Sequence, residues 1–97
     1  MMELNETIHQ PVRLRIMAAL VALDPGSTFN FVDLRGLLGV TDGNLGAHIL
    51  KLEEAGYIST KKKFIARKPC TFIGVTSKGR AAFEEYVDSL KAILPQK

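Results

Sequence analysis

The sequence predicts a mainly helical α+β fold, and three observations carry the prediction. Two short helix patterns are separated only by Gly39-Val40, so that one helix stops and the next is capped within a few residues. A β-rich pair of runs follows, broken by a basic, proline-containing stretch. The chain then closes on a long helical pattern from about Ser77 to Leu94, ended by Pro95. With 97 residues, of which 46% are hydrophobic and 24% charged, the chain is sized and composed for one compact domain rather than a disordered tail.

Taken in order, Met1 to Gln10 has weak helical character and reads as an arm or a short helix. Pro11 suits the first position of a helix, where its missing N–H is no loss. Val12, Ile16, Ala19, Leu20 and Leu23 then recur at helical spacing, widened by Leu14, Met17 and Val21 into a mostly buried helix. Asp24-Pro25-Gly26-Ser27 ends it with turn chemistry, and Thr28-Phe29 leaves room for no more than a stub of strand. Asn30 reads as an N-cap with Asp33 three residues on, before a helix that turns Phe31, Leu34, Leu37 and Leu38 inward and stops at Gly39. Thr41 caps the next helix, about Asp42 to Ala55, which Gly56 ends. Tyr57 to Ile65 and Thr71 to Thr76 are the two hairpin strands, with the turn expected at Arg67-Lys68-Pro69. The order helix, stub strand, helix, helix, strand, strand, helix is winged-helix topology. The expected divisions of one domain over 1–97 are a helix-turn-helix at about 30–56, a two-stranded β wing at about 57–76 and a C-terminal dimerisation helix at about 77–94.

Charge is unevenly spread. The net formal charge is only +3, but no Asp or Glu occurs from Ala55 to Phe83, where Lys61, Lys62, Lys63, Arg67, Lys68, Lys78 and Arg80 all fall. One-sided basic surface suits a polyanion. Turning ~100° per residue, the third helix puts Leu45, Ile49, Leu52 and Gly56 on its core side and Gly43, Asn44, Ala47, Lys51 and Glu54 opposite. His48 and Leu50 fall at the edges, with Gly46 near the core side of one edge. Small and polar residues at the N-terminal end of such a face allow close approach to the floor of a DNA major groove.

The candidate DNA-contacting residues are therefore Thr41, Asp42, Gly43, Asn44, Gly46, Ala47, His48 and Lys51 on the helix, and Lys61, Lys63, Arg67 and Lys68 on the wing. Asn44 suits an adenine edge, a phosphate, or simply the helix cap; Lys51 and the N–H groups near Thr41 suit phosphate. Asp42 serves the helix N-terminus. His48 fits packing or a phosphate better than a metal. Arg67 suits a narrow minor groove. Because strand side chains alternate, Lys62 points away from Lys61 and Lys63.

The stretch Val40-Thr41-Asp42-Gly43-Asn44-Leu45 through Leu52-Glu53-Glu54-Ala55-Gly56-Tyr57-Ile58 resembles the recognition-helix signature of MarR/ArsR-type winged-helix transcription regulators. His9-Gln10-Pro11-Val12-Arg13-Leu14, the wing from Lys63 to Pro69 with Thr71, and Val75-Thr76-Ser77-Lys78-Gly79-Arg80 match the same pattern, so the resemblance spans nearly the whole chain. It implies a sequence-specific regulator that dimerises on double-stranded DNA, with the third helix and the wing in contact. Three departures stand out: Gly46 where serine is usual, Ala47 where a basic residue is common, and Ala66 in place of a frequent wing glycine.

On the last helix Phe83, Val87, Leu90 and Leu94, with Tyr86 and Ile93 beside them, form a seam wide enough for a second helix. Phe83 is expected to pack on its own domain, while Val87, Leu90, Ile93 and Leu94 point to a homodimer on a pseudo-palindromic operator with half-sites ~34 Å apart. The competing use of such a fold is a protein-interaction module in a larger assembly. An enzyme is not expected, since no nucleophile-base set, phosphate-cradling loop or paired carboxylates occur. Neither a cofactor nor a metal site is expected: His9, His48 and the lone Cys70 have no ligand spacing, and Cys70 reads as strand packing. No effector pocket is legible. With no apolar run near the ~20 residues of a membrane span and no disulfide possible within the chain, a cytoplasmic protein without a membrane partner is expected.

Overall fold

A computed structural model describes residues 4–95. Its elements are α1 (Pro11–Val21), β1 (Phe29–Asn30), α2 (Phe31–Leu38), α3 (Asp42–Glu54), β2 (Ile58–Ile65), β3 (Lys68–Val75) and α4 (Ser77–Ile93). This is the winged-helix order, mainly helical. The stub strand completes a three-stranded antiparallel sheet in the order β1-β3-β2.

Each helix start is written locally. The Gln10 side chain accepts from the Arg13 N–H, with Pro11 next to the cap. The side chains of Asn30, Thr41 and Thr76 accept from the N–H three residues on, at Asp33, Asn44 and Gly79. The ends are equally regular. Gly39 closes α2 at φ 67°, donating to Arg35 O. At the end of α3, Tyr57 N–H reaches Leu52 O, Gly56 N–H reaches Glu53 O, and Gly56 sits at φ 80°, which is a Schellman motif.

The core gathers Ile16, Met17 and Leu20 of α1, Leu34 and Leu38 of α2, Leu45, Ile49 and Leu52 of α3, Ile58, Ile73 and Tyr86. Ile8 belongs to it as well, fully buried. The opening segment, expected as an arm or short helix over Met1–Gln10, is therefore an anchored part of the core from Leu4 onward; Met1–Glu3 lie outside the described residues. Two tyrosines hold it: Asn5 Nδ2 donates to Tyr57 Oη at 2.8 Å, and Tyr86 Oη lies 2.9 Å from His9 Nδ1.

The structure corrects two local expectations. Leu37 is 58% exposed rather than inward, because so short a helix as α2 meets its neighbours along the narrow stripe of Leu34 and Leu38. The hairpin turn is Ala66-Arg67, not Arg67-Lys68-Pro69: Ile65 pairs with Lys68 and Phe64 with Pro69. Both turn residues have positive φ, 50° and 68°, the two-residue geometry whose twist matches that of paired strands. Pro69 is tolerated inside β3 because β1 reaches only Phe72 and Ile73, leaving that edge of β3 open. Along the expected seam of α4, Val87 and Leu90 are half-buried against the core, while Ile93 and Leu94 are 60% and 51% exposed.

Candidate nucleic-acid interface

On α3, the core face of Leu45, Ile49 and Leu52 leaves Thr41, Asp42, Gly43, Asn44, Ala47, Leu50 and Lys51 exposed, with Gly46 and His48 half-buried at the margins. Space beside both glycines is open: a Cβ at Gly43 or Gly46 would meet nothing within 4 Å, and neither has a positive φ. Nothing among the described residues requires glycine at these positions.

The polar residues of this helix have sorted roles. Thr41, not Asn44, is the cap; the Asn44 side chain has no hydrogen-bond partner among the described residues. The Asp42 carboxylate is held by Arg35 Nη1 of α2 at 2.6 Å, tying together the two helices of the helix-turn-helix. His48 Nδ1 lies 3.2 Å from Arg13 Nη1. Since a guanidinium only donates, Nδ1 must accept, so the imidazole is neutral with its proton on Nε2. Partial burial, and then the positive charge of Arg13, hold the His48 pKa below its ordinary 6.5. Arg13 also donates through Nε to Thr7 O, bridging the opening segment to α3. Sequence reasoning assigned Arg13 no role; an arginine in the first turn of a largely apolar helix was the signal.

The wing stands beside this helix. Thr60 Oγ1 donates to Glu53 Oε2 of α3 at 2.7 Å, and Ile58 at the base of the strand is buried. Alternation therefore turns Ile58, Thr60, Lys62 and Phe64 toward the α3 side of the sheet. Lys61 and Lys63 lie on the opposite face with Ser59, and Lys63 Nζ sits 5.5 Å from the Phe72 ring centre. They border a groove of about 340 Å³ that Ser27, Thr28 and Gly74 also line. The lysine on the α3 side is Lys62, which the sequence-based contact set omits although the buried Ile58 marks its parity. Arg67 is at the tip and Lys68 opens β3. Among the described residues no three of His, Cys, Asp and Glu gather as metal ligands would, and no helix is long and apolar enough to cross a membrane.

The family model for the winged helix DNA-binding domain matches residues 12–94, a stretch that holds the two-helix turn and the basic hairpin. The chain belongs to the winged helix DNA-binding domain family. An uncharacterized protein of Methanocaldococcus jannaschii is 45% identical to this winged-helix chain over 76 residues, covering 78% of the chain and 79% of that protein. A transcriptional regulator homologue from Pyrococcus horikoshii superposes with a TM-score of 0.81 at 35% identity, over 92% of this chain and 85% of its own. The transcriptional repressor BigR from Xylella fastidiosa shares the fold, with a TM-score of 0.66 at 24% identity over 95% and 84% of the two chains. The winged-helix resemblance read from the motifs is thus borne out, and the solved relatives are regulators rather than enzymes.

Proposed function

We propose that this winged-helix chain is a transcription regulator that binds double-stranded DNA as a homodimer, with α3 in the major groove and the hairpin on the backbone or in the minor groove. The observation that carries the reading is the open, small-and-polar outer face of α3 standing on the same side as a projecting hairpin with no carboxylate from Ala55 to Phe83. In this reading Asn44 and Ala47 face base edges, while Thr41, Gly43, Gly46 and His48 line the approach. Lys51, Lys62, Arg67 and Lys68 meet phosphates or the minor groove. Lys61 and Lys63 add long-range attraction from the far face. The P. horikoshii relative, described as a transcriptional regulator homologue, supports the same role.

Ile93 and Leu94, exposed at the end of α4, offer apolar surface to a second copy. Val87 and Leu90 serve the dimer indirectly, by holding α4 against the body. Twofold symmetry would then place two α3 helices about one DNA turn, ~34 Å, apart on a pseudo-palindromic site.

The test is duplex binding across a salt series on protein whose mass has been measured by light scattering. A dimer whose log affinity falls linearly and steeply with log salt is the expected result. A protein that binds no duplex even at low salt would be a protein-interaction module instead.

A further inference from the structure

Phe64 is the most exposed large hydrophobic residue among those described, at 78%. Its place is unusual for so apolar a group. Of β2, only Ile58 is buried and Thr60 half-buried, and Lys61 to Ile65 stand in solvent. Across the hairpin Cys70, Thr71 and Phe72 of β3 are half-buried, so the part exposed on both strands is the tip from Phe64 to Pro69, in an elongated molecule of 52 × 26 × 25 Å. Parity places Phe64 on the α3 side of the sheet, paired with Pro69 across the hairpin, so the tip carries an apolar pair on that side.

Lys62, Lys63, Arg67 and Lys68 surround that tip, and no described ion pair lies on the hairpin. This charge argues against the tip of a second copy, which would bring the same cations. It fits an apolar slot between anions. A base step between two phosphate rows is such a slot. The turn adds a second indication: Ala66 and Arg67 both hold left-handed conformations, at φ 50° and 68°, that asparagine and glycine would adopt with less strain. Strain retained at a tip is expected where a side chain, here Arg67, is needed there.

We propose that Phe64 is an apolar wedge that enters the minor groove beside Arg67 and partly unstacks a base step there. The inference rests on the DNA-binding reading above and extends it to specificity. A wedge of this kind favours steps that open easily, so the chain prefers pyrimidine–purine steps such as TA or CA where the wing lands.

The experiment uses the full chain and a duplex selected from a random pool for binding to it, with 2-aminopurine substituted at successive positions flanking the half-site. The wild-type protein is expected to brighten 2-aminopurine at one step. Phe64→Ala should abolish the brightening, flatten the preference for pyrimidine–purine steps and lose on the order of tenfold in affinity. Its unfolding midpoint should hold, because the ring is exposed; Phe64→Leu should keep part of the effect. If the wild type binds DNA but no step brightens, and Phe64→Ala binds equally well, the wedge is wrong and DNA binding stands. If the wild type binds no duplex at all, both readings fall. Binding to phosphatidylserine vesicles that Phe64→Ala abolishes, with DNA affinity untouched, would reassign the tip to a lipid surface and overturn the wedge.

Discussion

The Cα of Gly79, in the first turn of α4, rests directly on the backbone of Tyr57 at the α3–β2 corner. A Cβ at Gly79 would fall 2.7 Å from the Tyr57 carbonyl carbon and 2.9 Å from its Cα, closer than real Cβ contacts permit. The same Tyr57 carbonyl accepts from Thr76 N–H at 3.0 Å, and Thr76 Oγ1 donates to Gly56 O at 2.6 Å. Helix α4 is thus clamped, through Thr76 and Gly79, to the end of the helix proposed to read DNA. Gly79→Ala should cost about 1–3 kcal/mol, since the obstacle is backbone that cannot rotate away. Urea unfolding measures this, and a midpoint equal to wild type would show that the corner yields.

Gly43 and Gly46 invert that logic. Neither is required by the fold, and each costs roughly 1 kcal/mol relative to alanine in a helix. Gly43→Ala and Gly46→Ala should therefore raise the unfolding free energy while lowering affinity for the selected duplex. Stability and binding that improve together would mean that no DNA backbone or base edge comes close to these positions.

Ala66 in the left-handed region explains why a glycine is frequent at this wing position in the families that the chain resembles. Ala66→Gly should stabilise the hairpin by up to about 1 kcal/mol and leave binding unchanged. Arg67→Gly should stabilise it similarly but weaken binding to most sequences. Thermal unfolding and duplex titration of the two variants, run side by side, separate the turn's conformation from the arginine's charge.

Asn44, whose side-chain amide has no partner among the described residues, should act on one base pair. Asn44→Ala is expected to lose ~1–3 kcal/mol against the preferred base and to relax the preference at that position alone. Affinities for a panel of single-base variants give the answer. Equal losses for every sequence would move Asn44 to the phosphate backbone.

His48 sets a pH dependence. Its pKa in the folded chain lies below the unfolded 6.5, so the unfolded state takes up a proton first as pH drops. The stability tied to neutral His48 is fully present above pH 6.5 and is lost as pH falls from there through the folded value. Arg13→Gln removes the opposing charge and the donor to Nδ1. In an NMR titration of the imidazole protons, that variant should show the His48 pKa moving up toward 6.5; an unchanged pKa would leave burial as its sole cause.

Much of the candidate site is legible in the residues because its signals are local. A cap such as Thr41 or a stop such as Gly39 is decided by the N–H or carbonyl a few residues away. The core face of α3 follows from helical spacing alone. Less was legible in the wing: which of Lys61, Lys62 and Lys63 shares the side of α3 depends on the bond from Thr60 to Glu53 and on the burial of Ile58. Both partners become neighbours only once β2 folds back along the helix. Arg13 beside His48 is a contact across 35 positions that no spacing rule reaches.

The sequence by itself determined the order of the elements, the helix boundaries, the buried face of α3 and the acid-free basic stretch, since each depends on short-range hydrogen bonding, periodicity or composition. Only the tertiary structure decided that Ile8 is core, that Val87 and Leu90 belong to the body while Ile93 and Leu94 stay open, and that Phe64 stands bare at the tip of a projecting hairpin. Burial is a property of what packs against a side chain, and the packing partners come from distant parts of the chain. The same apolar residue is core or exposed surface according to how far the body of this small domain extends beneath it.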